Sequence, residues 1–127
     1  MPGVLKGDPD RIVVEAYPGV LARHVIGRRS YKNDTRKKQT EDQGHARRAI
    51  LQSLKVGEML KSHGIHVHVE DSIADDSGAD DLDALLCAVQ AAWAWTNRDR
   101  RFGAPVFLDP NEGWISDPAV YDPPMRE

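Results

Sequence analysis

The chain has 127 residues, 40% of them hydrophobic and 29% charged, with a formal net charge of −3. That length suits one modest core and not several. No run of about 18 apolar residues occurs, which excludes an ordinary membrane-spanning helix. Met1-Pro2-Gly3-Val4-Leu5-Lys6 lacks the apolar stretch of a signal peptide, and the single Cys87 has no internal disulfide partner. A reduced, cytoplasmic setting with no membrane partner is expected.

Residues 1–10 form a lead-in containing Pro2, Gly3, Gly7 and Pro9. Arg11-Ile12-Val13-Val14-Glu15-Ala16-Tyr17 is then predicted to be a strand, because it is β-branched and bounded by Pro9-Asp10 and Pro18-Gly19. Its apolar side chains alternate with no clean polar face, as in the doubly covered strands of an α/β sheet. Val20, Leu21, His24 and Val25 follow at helical spacing, with Gly27 as the stop. Residues 28–39 form a basic, polar loop.

Thr40-Glu41-Asp42-Gln43 has the pattern of a capping box. The helix it opens carries Ala46, Ile50 and Leu54 on one face and is expected to run to about Lys61, weakened at Gly57. Gly64 is the expected stop. Ile65-His66-Val67-His68-Val69-Glu70 alternates strictly and predicts a half-exposed strand. A last helix is predicted from about Asp80 to Thr96, with Leu82, Leu85, Leu86, Val89 and Trp93 on one stripe. Residues 103–127 form a Pro-rich tail with one apolar run, Val106-Phe107-Leu108. No internal repeat or low-complexity tract is present.

Charge is divided unevenly along this order. Through residue 48 there are eleven Lys and Arg against six Asp and Glu; from residue 49 onward there are six against fourteen. A basic loop beside an acidic cluster suits a polyanionic substrate processed at a metal. Two solvated segments that never meet would have the same composition.

Several side chains are candidates for chemistry. Glu15 sits near the end of an apolar segment, where a carboxylate is costly to bury unless paired or metal-bound. Asp80, Asp81 and Asp83 crowd the first turn of the last helix, where the helix dipole favours acids in any case. Asp83 stands apart by following the apolar Leu82. His66, His68 and Glu70 share one side of an alternating segment with His63 nearby; a zinc site or a polar strand face would both look like this. His45 suits a base, a phosphate contact or a solvated helix face. Arg28, Arg29, Lys32, Arg36, Lys37 and Lys38 are candidate phosphate contacts. Tyr31 is the only aromatic among them, so base stacking is not indicated. Cys87 reads as a small buried apolar residue.

Four segments carry a family resemblance: Val13-Val14-Glu15-Ala16-Tyr17-Pro18, Gly27-Arg28-Arg29-Ser30-Tyr31-Lys32, Asp80-Asp81-Leu82-Asp83-Ala84-Leu85-Leu86-Cys87-Ala88 and Glu112-Gly113-Trp114-Ile115. Together they resemble the domain of unknown function 429 family, described as predicted nucleases with a ribonuclease H-like fold. The resemblance implies that Glu15 is the acid of a fourth strand, Asp83 the acid of the last helix and Asp80 its partner one turn earlier. It also implies Mg²⁺ or Mn²⁺ as cofactor, nucleic acid as substrate and phosphodiester hydrolysis as reaction. Full-length relatives begin with three further strands, the first carrying an Asp; Asp8 and Asp10 lie in the lead-in and offer no such strand.

The expected fold is therefore α/β, a partial ribonuclease H-like domain over residues 11–102. It would contain the fourth and fifth strands, the connecting helices and the last helix. Its open strand edge implies a homo-oligomer or a separately encoded N-terminal half. Activity alone would be weak or absent. The alternative is a non-catalytic binding or assembly module, or a truncated remnant.

Overall fold

The structure, a computed structural model, describes residues 14–33, 40–76 and 78–104. Among these residues every regular element is helical, and no β-strand is present. The four α-helices are α1 (Pro18–Ile26), α2 (Glu41–Val56), α3 (Glu58–Lys61) and α4 (Asp80–Thr96). Short 3₁₀ segments cover Asp71–Asp75 and Arg98–Gly103.

This overturns the expected α/β, partial ribonuclease H-like fold. Residues 14–17, the described part of the expected first strand, are extended but not paired with another strand. Instead, the Gln90 side chain of α4 takes the place of a neighbouring strand. The Tyr17 N–H donates to Gln90 Oε1 at 2.9 Å, and Gln90 Nε2 donates to the Tyr17 carbonyl at 2.9 Å. Residue 17 therefore does not present the open strand edge expected to drive association.

Residues 65–70 are likewise extended without being a strand. Their alternation is real: Ile65 and Val67 are half-buried against the core, while His66, His68 and Glu70 are exposed. An alternating pattern requires only that one side of an extended chain be covered, and here the cover is helical.

The helices follow their local signals. Pro18 opens α1, where its missing N–H removes no helical bond. Gly27 ends it at φ +73, donating its N–H to the Arg23 carbonyl at 2.7 Å. Thr40 and Gln43 form the capping box of α2 in both directions, at 3.2 and 3.3 Å. α2 stops at Val56, short of the expected Lys61. Gly57 turns extended, and a Cβ there would lie 2.5 Å from the Ser53 carbonyl oxygen. The chain restarts as the single turn α3.

α1 packs against both α2 and α4, and α2 also packs against the 3₁₀ segment Asp71–Asp75. One core results from Leu21, Ala46, Ile50, Leu54, Leu60, Leu82, Leu86 and Val89, each 3% exposed or less. Burial of each such leucine or isoleucine contributes about 1.5–3 kcal/mol. No helix among the described residues is long and apolar enough to cross a membrane.

Candidate functional site

The basic and acidic halves of the sequence do meet, at the turn after α1. Tyr31 points inward, is 9% exposed, and its hydroxyl donates to Asp83 Oδ1 at 2.7 Å. Lys32 donates from Nζ to Asp83 Oδ2 at 2.5 Å, forming an ion pair. Asp83 therefore has both oxygens engaged by consecutive residues of the turn. Burial, with the Asp83 hydrogen bond and charge as further causes, pushes the Tyr31 phenol well above its ordinary value.

The backbone of the same turn is fastened to α2. Arg47, 6% exposed, donates from Nη1 to the Tyr31 carbonyl at 3.1 Å and from Nε to the Ala74 carbonyl at 2.7 Å. Gln43 donates from Nε2 to Ser30 Oγ at 2.8 Å and to the Lys32 carbonyl at 3.3 Å. One guanidinium and one amide thus hold residues 30–32 from below while Asp83 holds their side chains.

The held turn borders a cleft of about 190 Å³, lined by Gly19, Arg23, Gly27, Arg28, Arg29, Ser30, Tyr31 and Lys32. Four of these eight residues are cationic. No carboxylate among the described residues pairs with Arg23, Arg28 or Arg29. Arg23, Arg28 and Arg29 thus border one opening with no described carboxylate paired to them, and guanidinium is the side chain best suited to anionic oxygens.

Of the expected phosphate contacts, Arg28, Arg29 and Lys32 line this cleft, while Arg36, Lys37 and Lys38 lie outside the described residues. Arg23 joins them from the last turn of α1, a position that four-residue spacing to Gly27 places at the cleft. Gln43 is marked in the sequence only as part of the capping box, and Arg47 and Gln90 carry no sequence signal beyond being polar residues within helices.

The expected carboxylates are not gathered. Glu15 is exposed on the extended segment before α1, and Asp80 is exposed at the first position of α4. Among the described residues no group of three His, Cys, Asp or Glu side chains converges as a metal's ligand set would. His66 and His68 are stacked with ring centroids 6.5 Å apart, while His63 lies edge-on to Trp93. Asp80 is not the N-cap of α4. That position is Ala79 at φ +62, and the cap comes from Asp76, whose Oδ2 accepts from the Asp80 N–H at 3.1 Å.

The fold and cleft thus define a helical protein with a basic turn held by buried polar residues. The chain belongs to the family described as "Protein of unknown function (DUF429)", whose family model matches residues 4–106. No curated protein and no solved structure matches it.

Proposed function

We propose that this chain binds the phosphate backbone of nucleic acid through the cleft between α1 and the turn at residues 27–32. The observation that carries the reading is the convergence of Arg23, Arg28 and Arg29 on one opening, with no described carboxylate paired to them. Lys32 is committed to Asp83 and serves mainly to hold the turn. In this reading Asp83 is an anchor for the basic turn, and the chain acts as a non-catalytic binding module.

Salt dependence tests it. Three phosphate contacts to a single strand give a log–log slope of affinity against salt of about −2. Arg28→Ala with Arg29→Ala should reduce that slope to about −0.7, as one contact would give. Affinity for nucleic acid that is independent of salt, or unchanged in the double variant, would remove the proposal.

Metal-dependent phosphodiester hydrolysis is the second reading. What favours it is the position of Asp83 beside the cleft, where a bound phosphate would approach, with Asp80 one helical turn before it. Glu15 lies on the segment that Gln90 ties to α4. The engaged oxygens of Asp83 and the scattered positions of Glu15 and Asp80 do not make a ready site for Mg²⁺ or Mn²⁺. Cleavage of a labelled oligonucleotide with either ion, lost in Asp83→Asn, would favour hydrolysis over binding alone.

A further inference from the structure

The basic cleft does not end at Arg23. A second hollow of about 470 Å³ is lined by Tyr17, Gly19, Val20 and Arg23, and it shares Gly19 and Arg23 with the first. The two therefore adjoin, one walled by cations and the other by an aromatic ring and a valine. Tyr17 is 56% exposed, unusual for an aromatic next to a core helix. It is also held firmly, because both of its backbone polar groups are bonded to the buried Gln90 at 2.9 Å. Gly19 lets the ring lie close over the start of α1: a Cβ at that position would stand 3.0 Å from Tyr17 Cε1.

We infer that Tyr17 is a stacking platform for an unpaired base, and that the ligand of the joined cleft is a single strand of nucleic acid. The inference rests on the phosphate-binding reading and extends it. An exposed ring in a hollow that adjoins one lined by three arginines, with Gly19 and Arg23 shared, matches the two chemistries of a single strand, a π-face and a phosphate. A duplex offers the phosphates but keeps its bases stacked on one another, so Tyr17 would gain nothing from it. Charge complementarity selects the strand as the occupant over an apolar peptide. Tyr31, the aromatic inside the basic segment, faces Asp83 and is too buried to stack a base.

The test uses the full chain and four probes: a labelled single strand of about 12 nucleotides, an abasic strand of equal length, the corresponding duplex, and inorganic polyphosphate. The base-bearing strand should bind about 5- to 150-fold more tightly than the abasic strand. Tyr17→Ala should erase that ratio, and Tyr17→Phe should keep it. Equal affinity of the unmutated chain for base-bearing and abasic strands would overturn the stacking inference and leave the phosphate reading standing. So would a ratio that survives Tyr17→Ala. Failure to bind any of the four would overturn both. The abasic comparison needs no variant, so it decides even if Tyr17→Ala folds poorly.

Discussion

The Tyr31 hydroxyl donates to Asp83 Oδ1 at 2.7 Å, joining residues 52 positions apart in the chain. The bond is charge-assisted and mostly shielded, since the Asp83 side chain is only 16% exposed. It turns a basic loop that could have waved in solvent into a fixed wall of the cleft. Tyr31→Phe should lower stability by about 1.5–3 kcal/mol, read from chemical denaturation midpoints.

The same pair sets a pH dependence. The folded protein holds the Tyr31 proton more tightly than the unfolded chain does, because burial and Asp83 both oppose a phenolate. The contribution is fully present below about pH 10, the unfolded value, and is lost as pH rises through the higher folded one. Stability should fall with alkaline pH more steeply in the native sequence than in Tyr31→Phe. Parallel curves for the two would show that Tyr31 is not held as described.

Gln90 is fully buried and supplies both hydrogen bonds to Tyr17. Gln90→Leu keeps the volume and removes both. A loss of about 2 kcal/mol is expected, against a change within about 0.5 kcal/mol for Gln52→Leu on the exposed face of α2. Amide exchange at Tyr17 should accelerate in the first variant and not in the second.

Arg47 holds the Tyr31 and Ala74 carbonyls with two different nitrogens of one planar group. Lysine has the charge but not the fork. Arg47→Lys should cost about 2 kcal/mol in thermal or chemical unfolding. It should also weaken polyphosphate binding although Arg47 is buried beneath the cleft, because the turn loses its seat. Wild-type polyphosphate affinity in a folded Arg47→Lys protein would uncouple α2 from the cleft.

Cys87 lies one turn beyond Asp83 on α4, and burial, then the Asp83 charge, push its thiol up from 9.0. Less thiolate forms at a given pH, so alkylation at about pH 8.5 should be slower in the folded chain than in denaturant. Asp83→Asn removes the lesser cause and should shift the pH–rate profile modestly toward lower pH.

The boundaries of α1 and α4 and the start of α2 were legible because their signals are local, whereas the end of α2 at Val56 was expected near Lys61. Pro18, Gly27 and the Thr40–Gln43 capping box act within one turn of chain, and the Leu82, Leu86, Val89, Trp93 stripe needs only helical spacing. The expected strands failed for the opposite reason. Val14–Tyr17 and Ile65–Glu70 are extended, as their composition requires, but a strand also needs a partner, and no local pattern supplies one. At Tyr17 the partner is a glutamine 73 residues away.

The candidate site divides in the same way. The basic cluster at Arg28, Arg29 and Lys32 and the distinctness of Asp83 from its acidic neighbours could be read from residue order alone. That Asp83 would meet Tyr31 and Lys32, and that Tyr17 and not Tyr31 would face outward beside Arg23, could not. Residue order was enough to place the helices and the accumulation of charge, since propensity, capping and spacing act over a few residues. What those charges touch was set by packing, because the hydrogen bonds donated by Gln43, Arg47 and Gln90 and those accepted by Asp83 close across long stretches of chain only once the helices have packed.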